Sequence, residues 1–97
     1  MTDPKTDAYA QKLESKVEQW SAELDRLRAR TKEMSADARL EYERRIGDLE
    51  HKQQDARSRI DAVRAAAGEA GEELKRGAER AVDDLGRSLE RVRDDMS

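Results

Sequence analysis

His51 is the only histidine of this 97-residue chain, and cysteine is absent. The residues that could hold a metal or exchange a proton near neutral pH therefore reduce to one imidazole and many carboxylates. His51 lies two residues past Leu49, on the outward side of a helical apolar pattern and among charged neighbours. That placement reads as a surface histidine rather than a pH sensor or a ligand. The carboxylates could pair as acid and base, but such chemistry needs a concave, water-excluding pocket to move their pKa values, and a narrow helical assembly offers none. No glycine-rich phosphate loop or nucleophile motif occurs. The expectation is a non-enzymatic protein with no catalytic residue, no metal and no cofactor.

A second chemical candidate is the basic cluster Arg26, Arg28, Arg30 and Lys32. Asp25 and Glu33 flank it, and no aromatic residues interleave to stack on bases, so nucleic acid is not the expected partner. The whole chain carries a formal charge of -3 with the two signs interleaved, which gives no broad attraction to DNA or anionic membranes. Up to Arg64 there are 14 acids and 14 bases; beyond it 9 acids stand against 6 bases, so the acidic excess is C-terminal.

The elements that must carry these side chains are helical. Only 35% of residues are hydrophobic, many of them Ala, while 44% are charged, too little apolar matter for a broad globular core but enough for a seam. Asp3 before Pro4 gives an N-cap followed by a residue whose missing N–H would be unpaired anyway. Ala10, Leu13, Val17, Trp20, Leu24, Leu27, Thr31, Met34 and Ala38 then follow at alternating steps of three and four. This is the a/d seam of a heptad, with no charge interrupting it.

A second run passes through Ile46, Leu49, Gln53, Ala56, Ile60, Val63 and Ala67, out of phase with the first, with Tyr42 midway between Ala38 and Ile46. The pattern predicts one long helix over 4–67 with a local phase change. The competing view is a break near Ser35, which could cap a new helix, but no Gly or Pro supports it. Gly68 and Gly71 mark a turn over 68–71, the alternative being a weakened but continuous helix. Beyond it, GEELKRGAERA (71–81) aligns on VDDLGRSLERV (82–92) as an eleven-residue repeat. The repeat predicts a shorter amphipathic helix over 72–96 whose stripe is Leu74, Ala78, Ala81, Leu85, Leu89, Val92 and Met96.

The segments YAQKLESKVEQWSAELDRLRAR, ADARLEYERRIGDLEHKQQDAR and GEELKRGAERAVDDLGRSLE together resemble a family of short bacterial coiled-coil proteins described as stress-response proteins of poorly defined activity. In that family the last segment often carries Trp eleven residues apart, where this chain has Gly71 and Val82. The departure weakens aromatic anchoring to a membrane, and the resemblance supplies no catalytic residue.

The expected fold is all-α, a single domain over 1–97, with a long helix and a shorter C-terminal helix forming a coiled-coil hairpin. The long helix would measure about 95 Å and the shorter one about 40 Å. Much of the seam of Leu13, Val17, Trp20, Leu24, Leu27, Met34, Ile46, Leu49, Ile60 and Val63 would then need another chain, which predicts a homo-oligomeric bundle. Glu23 and Arg28 fit an ion pair between parallel helices. With neither a basic start nor an apolar stretch of signal-peptide length, the sequence predicts a cytoplasmic protein acting by self-association or by binding a helical partner. The alternative is a peripheral protein of lipid or granule surfaces using the C-terminal stripe, an arrangement its net acidic polar face does not favour.

Overall fold

The computed structural model describes residues 4–66 and 70–96. It contains three helices: α1 (Pro4–Thr31), α2 (Ala36–Ala65) and α3 (Ala70–Met96). The all-α expectation holds. The single helix over 4–67 does not, because the chain leaves helical geometry between Thr31 and Ala36.

The break is built from local polar groups. Glu33 and Met34 donate their backbone N–H groups to the Arg30 and Thr31 carbonyls at 3.1 Å, tightening the end of α1. Ser35 adopts extended backbone (φ -60°, ψ 159°), and its hydroxyl accepts from the Ala38 N–H, as an N-cap does. Arg39, one turn into α2, reaches back to donate to the Thr31 carbonyl at 3.3 Å and the Lys32 carbonyl at 2.9 Å. The carbonyls freed at the end of α1 are thus taken by a side chain, and neither Gly nor Pro is required.

With the break in place, the three helices have nearly equal lengths of about 42, 45 and 40 Å. They lie side by side in a body of 51 × 17 × 17 Å. Contacts fix their directions. Arg64 pairs with Glu14 and Arg28 with Glu50, so α2 runs antiparallel to α1. Lys52 meets Asp84 and Arg45 meets Asp95, so α3 runs antiparallel to α2. Tyr9 meets Glu79 and Arg30 meets the Met96 carbonyl, so α1 and α3 are parallel. The two-element hairpin is therefore corrected to an up-down-up bundle of three.

The seam expected to need another chain is largely filled from within. Leu13 and Val17 pack with Ile60 and Val63 in one apolar cluster, while Leu24 and Leu27 pack with Ile46 and Leu49 in a second. Trp20 is half-buried against the second cluster, and Met34, beyond the end of α1, is half-buried. The length mismatch that predicted an oligomer no longer exists. The expected Glu23–Arg28 pairing is also replaced: Glu23 pairs with Arg26 inside α1, and Arg28 takes Asp25 and Glu50.

In α3, Ala78, Leu85, Leu89 and Val92 are buried, and Ala81 and Met96 are partly buried against the clusters. Leu74 is 37% exposed and leaves the stripe, whereas Val82 is 1% exposed and belongs to it. The buried line Ala78, Val82, Leu85, Leu89 and Val92, extended by the partly buried Met96, advances by four and three, a heptad rather than an eleven-residue period. The expected turn over 68–71 falls partly outside the described residues: α2 has ended by Ala66, Gly71 lies inside α3, and Gly68 is not among the described residues.

Candidate functional site

The two apolar clusters do not merge into one core. Between them α1 offers Ser21 and α2 offers Gln53, a polar pair at a seam level where Leu or Ile would be usual. The Gln53 amide donates to the Ser21 hydroxyl, Arg57 donates to the same oxygen at 3.2 Å, and the hydroxyl donates to the Val17 carbonyl at 3.0 Å. Above and below this level, Arg64–Glu14 and Arg28–Glu50 repeat the α1–α2 pairing at heptad spacing. These exposed or half-exposed pairs set register more than they add stability.

On the opposite side of α1, at nearly the same height, Trp20 leans over α3. Gly86 makes this possible: a Cβ there would stand 2.7 Å from Trp20 Cζ2 and 2.9 Å from Cε2. Gly86 is buried, and its missing side chain lets the indole lie against the helix backbone. A cleft of about 340 Å³ opens here, with Trp20, Val82 and Gly86 at its floor. Lys16 and Gln19 line its α1 side; Asp83, Glu90 and Arg87 line its α3 side. Sequence reasoning placed Trp20 in a seam but missed Gly86 and Val82. The signal available was the spacing of Ala78, Val82, Leu85 and Leu89, which the eleven-residue alignment concealed.

Two described groups depart from their ordinary titration. Tyr9 is pushed up to about 12, first by burial and then by its 2.8 Å hydrogen bond to Glu79. Arg64 is raised by its hydrogen bond to Glu14. Both shifts move a group further from neutrality, the opposite of tuning a catalyst to working pH.

The remaining sequence candidates are dispersed. His51 is exposed on α2. Of the basic cluster, Arg26 and Arg28 are paired with acids and Arg30 holds the Met96 carbonyl. Among the described residues no group of three or more metal-ligating side chains converges. No described helix is long and apolar enough to cross a membrane. The α3 stripe faces the bundle, so lipid contact through Leu85, Leu89 and Val92 requires α3 to leave α1 and α2.

No family model, no curated protein and no solved structure matches this chain.

Proposed function

We propose that this chain is a non-enzymatic interaction protein, working by self-association or by taking a partner helix on the surface of its own bundle. A cytoplasmic setting, expected from the sequence, and the stress association implied by the resemblance are part of the proposal. The observation that carries it is the Trp20 cleft: the single tryptophan of the chain is half-buried over Gly86, between rims of exposed charge. Tryptophan is enriched where partners gain most of their binding energy, because one rigid side chain supplies a large contact area.

Sedimentation of the full chain from about 1 to about 100 µM, alone and with soluble cell extract, tests this reading in the range of weak specific complexes. Movement onto a heavier species, with a shift of Trp20 emission, is expected. A sharp monomer boundary under every condition, with the emission unmoved, contradicts it.

A further inference from the structure

The Trp20 cleft runs between rims of opposite sign. On α1, Lys12 and Lys16 are exposed one turn apart, and Lys16 lines the cleft. On α3, Asp83 and Glu90 are exposed two turns apart, and both line the cleft. Arg87 is the one cation among the described residues lining the α3 side. None of Lys12, Lys16, Asp83 and Glu90 forms an ion pair with another described residue, although Arg28, Arg45, Lys52 and Arg64 all find acids on neighbouring helices. Across α1–α3 the contacts are the Tyr9–Glu79 and Arg30–Met96 hydrogen bonds, and no ion pair among the described residues joins Lys12 or Lys16 to Asp83 or Glu90.

Resting on the self-association half of the proposed function, we infer that the occupant of this face is a second copy of the same chain, docked parallel about a two-fold axis that runs along the helices. Symmetry and charge select this arrangement. A two-fold parallel to the helices keeps each residue at its height and lays α1 of each copy over α3 of the other, so Lys16 meets Asp83 twice, with Lys12 about one turn below and Glu90 about two turns above. A two-fold across the helices in the same plane lays the α1 rim over the α1 rim and the α3 rim over the α3 rim, without the pairing of opposite rims. The parallel dimer brings both Trp20 side chains to the same height beside the axis, where each loses its remaining solvent contact.

The face is 17 Å wide and about 42 Å long over α1, roughly 700 Å² per copy, against roughly 600 to 1,000 Å² in specific interfaces. Its polar rims make the dimer a weak, salt-sensitive one.

The test is sedimentation equilibrium on the full chain, on Lys16→Glu, and on the double variant Asp83→Lys with Glu90→Lys. Each is run alone and the variants are also mixed, at about 50 mM and about 500 mM salt. All substituted side chains are exposed, and helicity by circular dichroism verifies that the bundle is intact. The wild type should dimerise and weaken with salt, each variant alone should associate about tenfold less or worse, and the mixture should recover the dimer. A wild-type dimer that both variants retain overturns this surface while leaving self-association standing. A wild type that stays monomeric at low salt overturns the inference and leaves only partner-helix binding for the function.

Discussion

The indole of Trp20 rests on the backbone of α3 at Gly86, with 2.7 Å between Cζ2 and the position a Cβ would occupy. Two effects oppose each other when that glycine is replaced. Gly86→Ala gains about 1 kcal/mol of helix propensity, but overfilling a close contact costs about 1 to 3 kcal/mol. Because the colliding atoms belong to a rigid ring, the contact should win. A net loss of about 1 kcal/mol, seen as a fall of about 5 °C in the thermal midpoint, is expected together with a red shift of Trp20 emission.

Gly47→Ala is the control for that argument. Nothing lies within 4 Å of the added Cβ, and the residue sits inside α2. Only the propensity gain remains, so the variant should be more stable by about 0.5 to 1 kcal/mol in urea denaturation. A loss of stability at this position would mean that α2 is not a regular helix there.

Ser35 and Arg39 divide α1 from α2, and their removal should be felt separately. Ser35→Ala removes the acceptor for the Ala38 N–H and should cost about 1 kcal/mol. Arg39→Ala strips a donor from the Thr31 and Lys32 carbonyls, which water can replace because the site is partly exposed, so a smaller loss is expected. Equal and negligible effects from both would show that the break does not depend on these caps.

Tyr9 supplies a pH dependence with a definite sign. Its neutral form is favoured in the fold, where its pKa is about 12 against an ordinary 10.0, first because of burial and then because of Glu79. The associated stability is fully present below pH 10 and is lost as the pH rises through 12. Glu79→Ala should lower the Tyr9 midpoint without returning it to 10, since burial remains; tyrosine ring carbon shifts in NMR follow it directly. A midpoint unchanged by the substitution would remove Glu79 from the explanation.

Much of this fold could be read from residue spacing, and its failures have physical causes. The seams of α1 and α2 keep steps of three and four, so Leu13, Val17, Leu24, Leu27, Ile46, Leu49, Ile60 and Val63 were identifiable as buried before any packing was known. Spacing alone does not say which seam faces which. The eight-residue interval from Ala38 to Ile46, without Gly or Pro nearby, reads first as a relaxed supercoil in one helix, and only secondarily as a new helix with its own phase. The choice depends on Arg39 reaching back over the break, a contact between residues that no local propensity reports. In α3 the eleven-residue likeness between 71–81 and 82–92 drew the stripe through Leu74 and past Val82, while burial follows the heptad through Val82. The cleft itself was illegible because it joins α1 to α3 by a glycine, whose role is visible only when the opposing indole is in place.

The three-helix bundle depends on one chain closing its own seam at Ser35, and small-angle X-ray scattering of the dilute protein tests that closure most directly. The bundle is 51 Å in its longest direction and has a Cα radius of gyration of 15.6 Å. A parallel side-by-side dimer keeps the same length. The expected result is a maximum dimension near that of the bundle, with or without association; a particle of about 95 Å, the length of an unbroken helix over 4–67, would contradict the account.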